Sequence, residues 1–428
     1  MFSVLPAIIL FAITYVLMIS FGKYRPYIAL TSGVLFILFR MLPVGQIIGS
    51  LDFNVLLMIS GTMGLVQLFI DSRMPERLAD ILLNRVSTVQ WAAVALSLFA
   101  GIISAFVDNV ATVLMTAPVA IEICKKLKTN PVPFIIAIAV SSNLQGAATL
   151  VGDTTAIMLG SALHMSFLDF IWYEGKPGMF FMVELGAVLS ACIVFFSFRK
   201  EKGTIPKSGK ITEVEDYVPT VLLVGTIVLL IAASFLPFDL PEETNGLICM
   251  TLLILGLIYN YIRNRTPDAV TGPLKAIDLE TLGLLLGLFL MIGGISHMGV
   301  IKALAQLLAR LGNGNPFLMY TIIVWASVLI SAFIDNIPYV ATMIPVIAGI
   351  AAEMGIDSTA LYFGLLSGAT LGGNCTPIGA SANITGIGIL RKEGHTVSNR
   401  DFYRIGIPFT LSAIVPAYIL IWLLFGIR

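Results

Sequence analysis

The chain is 428 residues long, 57% hydrophobic and only 12% charged, with a mean hydropathy of +0.95. Soluble domains carry about twice that share of charge, so a soluble enzyme or binding module is excluded and an integral membrane protein is expected. Lys plus Arg and Asp plus Glu balance at 25 each, so net charge points to no nucleic-acid or acidic partner, and the lipid bilayer is the partner expected.

The first apolar stretch has no basic residue before it, whereas Lys23 and Arg25 follow. That order predicts a retained span with its N-terminal end outside, not a cleaved signal. Runs long enough to cross a bilayer, about 20 residues each, cover 2–20, 25–43, 52–71, 179–198, 218–236, 244–262, 280–297 and 405–425. Two further runs, 132–161 and 358–390, are interrupted by Gly-rich polar segments. PERLADILLNRV (75–86) and IKALAQLLARL (301–311) place apolar residues at helical spacing and charges opposite them, the pattern of helices lying in the interface plane.

Two polar interruptions recur at one offset. SAFVDNVATVLMTAP (104–118) returns as SAFIDNIPYVATMIP (331–345), and Gly146, Thr149 and Gly152 fall on Gly373, Thr376 and Gly379, each 227 residues later. This is an internal repeat. The segments around Asp108–Asn109 and Asp335–Asn336, 88–125 and 316–353, are each a pair of apolar legs bent at Asp-Asn. They form either a crossing plus a return or a re-entrant hairpin. With hairpins, 20 of the 25 Lys and Arg fall on one face, leaving Arg40, Lys176, Lys302, Arg310 and Arg428 on the other. A twelve-crossing arrangement divides them 13 to 12. The positive-inside rule therefore favours ten crossings.

Five crossings then separate the two Asp-Asn bends, so one hairpin enters from each face and the repeats are inverted, as in secondary transporters. The expected fold is an all-α polytopic membrane protein of two inverted repeats of about five transmembrane helices. The first repeat spans 1–198, a cytoplasmic linker 199–217, and the second repeat 218–428.

An ionised Asp at mid-bilayer costs about 2.5–3.5 kcal/mol on insertion scales, so two in register predict a shared site. Unwound backbone at that depth survives only where it faces protein or a wet cavity. Asp108, Asn109, Asp335 and Asn336 offer the oxygens that Na⁺ takes, and an Asp there could instead exchange a proton. Na⁺ at these four residues is the one bound ion expected; no organic cofactor is implied. Asn143, Thr149, Asp153, Thr154, Asn374, Thr376, Ser381 and Asn383, in and beside the two breaks, are the candidates for the substrate path. The breaks differ: Asp153 is matched by Ala380, and Asn383 by Ala156. The plainer reading makes Asp153 a helix cap and Glu184 an interhelix partner. Four dispersed cysteines and three dispersed histidines form neither a disulfide framework nor a metal cluster.

VDNVATVLMTAPVAIEIC, GAATLVGD, FIDNIPYVATMIPV and GNCTPIGASANI resemble the signatures of the ion transporter superfamily, in the group of ArsB, the P protein and the NhaD antiporters. The resemblance implies a scaffold, an elevator-type mobile unit holding hairpins and broken helices, a prokaryotic plasma membrane location and, since many relatives are homodimers, a homodimer. Dicarboxylate and citrate relatives carry Ser-Asn-Thr at the hairpin tips, where this chain has Asp108-Asn109-Val110 and Asp335-Asn336-Ile337. The expectation is an Na⁺- or H⁺-coupled secondary transporter of an inorganic ion or small oxyanion-like solute, of arsenite/antimonite efflux or Na⁺/H⁺ antiport type. Na⁺-coupled dicarboxylate or citrate transport is the alternative. An intramembrane aspartyl protease would need Gly-x-Gly-Asp, and Asp153 is preceded by Leu150-Val151-Gly152; no enzyme is expected.

Overall fold

The computed structural model describes residues 4–127, 129–201, 203–204, 211–236 and 240–426. Lys128, Lys202, Lys207, Lys210 and Arg428, all used in the charge count, lie outside the described residues, as does part of the linker. The first repeat contains α1 (Val4–Ser20), α2 (Arg25–Leu38), α3 (Phe53–Asp71), the amphipathic α4 (Met74–Leu83), α5 (Val89–Ser104), α6 (Asn109–Leu127), α7 (Val132–Gly146), α8 (Thr154–Ala162) and α9 (Met179–Ser197). The second contains α10 (Val218–Ser234), α11 (Thr244–Asn264), α12 (Leu279–His297), the amphipathic α13 (Val300–Leu311), α14 (Pro316–Ser331), α15 (Asn336–Met354), α16 (Thr359–Gly372), α17 (Ser381–Lys392) and α18 (Asn399–Ile421). α5, α6, α7 and α8 start at 89, 109, 132 and 154, and α14, α15, α16 and α17 at 316, 336, 359 and 381. Each difference is 227, the offset of the sequence motifs.

The pairs α5–α6 and α14–α15 are the two re-entrant hairpins, and α7–α8 and α16–α17 the two broken helices. Lys125, at the base of the first hairpin, pairs with Glu393, just beyond α17, at 2.5 Å. The lysine holds that exposed carboxyl below the usual carboxylate range. Glu353, at the base of the second hairpin, instead meets Gln306 of α13 at 3.5 Å and lies next to the start of α16. The two bases thus sit at opposite ends of one broken helix. The hairpins enter from opposite faces and the repeats are inverted.

Helix approach rests on small residues, because packing and not hydrophobicity drives association in lipid. A Cβ on Gly61 of α3 would lie 2.6 Å from the Cys249 backbone of α11, and one on Gly287 of α12 would lie 2.3 Å from Ala29 of α2. Each repeat therefore lends a helix to the other's flank: α11 packs on α3, and α2 on α12. Down the middle, α9 meets α18 where Gly186 faces Ala413, 3.1 Å from a notional Cβ, and these positions are themselves 227 apart.

Three features depart from the expected elements. α18 begins at Asn399 rather than near 405, because Ser398 and Asp401 form a capping box that recruits the charged residues into the first turn. Trp172–Tyr173 pairs antiparallel with Lys176–Pro177 through a turn at Glu174–Gly175, both at positive φ. Asp268–Lys275 forms a short helix before α12, in a segment with no apolar run to announce it.

Candidate transport site at the crossing of hairpins and broken helices

Each hairpin turns at its acid because that residue caps the returning leg. Asp108 Oδ1 accepts from the N–H of Val110 at 2.9 Å and of Ala111 at 3.2 Å, and Asp335 Oδ1 accepts from the N–H of Ile337 at 3.1 Å. One oxygen is committed to the fold, and Oδ2 is left for other partners.

The breaks are fitted to the bends. Thr149 donates its hydroxyl to the carbonyl of Ala105, and Thr376 does the same to Ala332. A Cβ on Gly152 would lie 2.6 Å from the Gly146 carbonyl and 2.9 Å from that of Ala105; one on Gly379 would lie 2.6 Å from the Gly373 carbonyl and 2.8 Å from that of Ala332. The repeated glycines and threonines let unwound backbone lie directly on the hairpin tip.

Across the repeats, Asn143 donates to the Thr370 carbonyl at 2.7 Å and to Asn374 Oδ1 at 3.1 Å, while Asn374 donates to the Val140 carbonyl at 2.9 Å. Asn109 donates to Asn143 Oδ1 at 3.3 Å and accepts from Ser104 at 2.7 Å. Asp153 caps no helix through its side chain. Its Oδ2 instead accepts from Thr155 at 2.5 Å and from Asn336 Nδ2, on the other hairpin, at 3.4 Å. Glu184 sits 3.5 Å from Gln145, away from this cluster.

These groups line a cavity of ≈ 320 Å³. Of the residues singled out in the sequence, Asp108, Asn109, Asn143, Asp153, Thr154, Asn336 and Ser381 border it. Asp335, Thr149, Asn374, Thr376 and Asn383 do not: the threonines hold the breaks, Asn374 sits in the seam, and Asp335 pairs with Arg25 at 3.1 Å. Asn383 donates to the carbonyls of Gly373 at 3.0 Å and Thr376 at 3.1 Å. Gln67, Asp278 and Thr281 also border the cavity and were not anticipated. Asp278 is the N-cap of α12, and an Asp opening a helix beside a basic loop reads in sequence as an interfacial cap. Gln67, Asp278 and Thr281 lie near the ends of helices flanked by Arg73 and Lys275.

Inverted repeats, paired hairpins and broken helices meeting in a polar cavity are the arrangement of membrane-embedded secondary transporters. A sequence description of the citrate transporter (CitMHS) family matches residues 15–368 and 246–428; the chain belongs to that family. An uncharacterized transporter of Mycobacterium tuberculosis is 31% identical over 431 residues, covering 97% of each chain. The human P protein is 27% identical over 85% of this chain and 52% of its own length. The fold is similar to that of the YdaH transporter of Alcanivorax borkumensis, whose crystal structure reveals an unusual topology (TM-score 0.60, 14% identity, 88% of this chain and 87% of that one). The bacterial relatives fit a prokaryotic integral membrane protein.

Proposed function

We propose that this protein is an ion-coupled secondary active transporter, driven by Na⁺ or H⁺. Its substrate is an inorganic ion or a small oxyanion-like solute, as in arsenite or antimonite efflux or Na⁺/H⁺ antiport. One observation carries the reading: the cavity is bordered by three carboxylates, Asp108, Asp153 and Asp278, and, among the described residues, by no Lys, Arg or His. Carboxylates and amide oxygens suit a hard cation or a proton, and a solute with hydroxyls and no net charge can share the space. Like charges brought together at a binding surface cost several kcal/mol, which works against a substrate carboxylate. The family match supports a second reading, citrate, and the same assay tests it.

In this proposal the hairpins and broken helices (α5–α8 and α14–α17) move as one unit against a scaffold of α1–α3 and α10–α12, with α4 and α13 as arms. The cavity corresponds to an inward-open state. Asp108, Asn109 and Asn336 hold the coupling ion, and Asn143, Asp153, Thr154 and Ser381 border the solute. Asp335 and the remaining break residues act through the shape of the site. A homodimer is part of the same proposal.

The test is uptake into proteoliposomes under imposed Na⁺ or pH gradients, with Na⁺, arsenite, chloride and citrate as solutes. Asp108→Asn keeps an oxygen for the helix cap and removes the charge, so gradient-driven flux should fall at least about tenfold, as for the loss of roughly 1.4 kcal/mol or more of coupling-ion affinity, with folding preserved. Unchanged flux in Asp108→Asn would remove the coupling assignment.

A further inference from the structure

Asp108 and Asp335 are repeat mates, yet their surroundings are opposite in charge. No salt bridge among the described residues reaches Asp108, which borders the cavity together with Asp153. Asp335 is buried. Its Oδ2 accepts from Arg25 Nη1 at 3.1 Å and lies 3.5 Å from Ser381 Oγ. Arg25 is held from its own side by a bond from Nε to the Met18 carbonyl at 3.3 Å. Gly61 meets Cys249 and Met250 as Gly287 meets Ala29 and Leu30, which makes Asn245 the counterpart of Arg25 in the second repeat; it is uncharged, and among the described residues the first repeat's acid has no such counter-cation, while the position matching Asp153 is Ala380. The first-repeat site therefore presents two carboxylates and no fixed cation, and the second-repeat site one carboxylate neutralised by one guanidinium.

We propose that Arg25 is a tethered cation occupying the second repeat's cation seat, so that a mobile coupling cation binds only on the Asp108 side. The inference rests on the cation-coupled reading above and assigns its number of ions. A guanidinium fits this place because it stays charged at every accessible pH and presents planar donors to a carboxylate. Breaking a buried pair by removing one partner leaves an uncompensated charge. With Arg25 gone, Asp335 Oδ2 and Ser381 Oγ, beside the free end of the second break, become a vacant set of oxygens for a small cation. Arg25 opens α2, which packs on α12 in the flank, whereas Asp335 caps a hairpin. The tether therefore joins the two parts that the proposed mechanism moves apart.

The experiment counts ²²Na⁺ bound at saturation by purified full-length protein, for wild type, Arg25→Leu, Arg25→Lys, Asp108→Asn and the double variant Arg25→Leu/Asp335→Asn, each first checked for monodispersity and a cooperative melt. Arg25→Leu should bind one more Na⁺ per chain than wild type, Arg25→Lys the same as wild type, and the double variant should lose the gain. A structural role alone would shift the melt without adding a bound ion. No additional Na⁺ in folded Arg25→Leu, or a gain that persists in the double variant, overturns the proposal. Asp108→Asn reads the other question: loss of the wild-type ion there supports cation coupling, and its failure would leave the Arg25 arms decisive for the tether alone. If Arg25→Leu does not fold, Arg25→Gln takes its place, keeping donors at the bend without the charge.

Discussion

Asn143 donates its side-chain N–H to the backbone carbonyl of Thr370 at 2.7 Å, and these two positions are themselves 227 residues apart. Repeat mates touch only where the pseudo-twofold axis runs between them. Gly186 and Ala413, the facing residues of α9 and α18, mark the same axis. The broken helices therefore cross at their own midpoints, and the seam is polar because unwound backbone must find partners inside the membrane.

Removing that contact should be costly. Asn143→Ala would delete both donors to Thr370 and Asn374 and leave the buried Asn109 amide without its acceptor. A loss of about 1–3 kcal/mol is expected for stranding such groups. Denaturant or thermal unfolding in detergent measures it, and a wild-type midpoint would mean that the seam is not a stabilising feature.

The breaks predict a pair of matched glycine effects. Gly152→Ala and Gly379→Ala each drive a methyl to within 2.6 Å of a carbonyl oxygen. Backbone, not a flexible side chain, would have to move, so each change should destabilise by roughly 1–3 kcal/mol. Gly388→Ala meets nothing within 4 Å and sits inside α17, where Ala is about 0.8–1.0 kcal/mol better than Gly. It should raise the melting temperature, and equal behaviour of all three variants would refute the fitted-break description.

Thr149 and Thr376 latch the breaks to the hairpin carbonyls of Ala105 and Ala332. Thr149→Val and Thr376→Val keep the shape and delete the hydroxyl, and each is expected to cost about 1 kcal/mol of stability. Solute KM should change less than in Thr154→Val, whose wild-type residue borders the cavity. A larger KM change at Thr149 than at Thr154 would return Thr149 to the solute path.

Inverted hairpins predict opposite labelling. In a background without the four native cysteines, Lys125→Cys should react with an impermeant maleimide only from the cytoplasmic side, and Glu353→Cys only from outside. Reaction of both from one face would be incompatible with the positions of their partners, Glu393 and Gln306.

Much of the architecture is legible in the sequence because it follows from spacing alone. A strict offset of 227 exposes the repeat, apolar length exposes the spans, and glycines among polar residues expose the breaks. The uneven placement of Lys and Arg favours one orientation over the other. Along one chain these are local properties, and bilayer thickness converts them into topology.

Partnership is different, because it depends on which helix ends the fold brings together. Asp108 and Asp335 are equivalent in sequence, yet one faces an open cavity and the other is bound to Arg25, 310 residues away. Asp278 reads as a helix cap and borders the same cavity as Asp153. Repetition could locate the acids; only the crossing of two inverted halves decided which of them is paired with a cation, since Coulomb energy depends on distance in space and not on position along the chain.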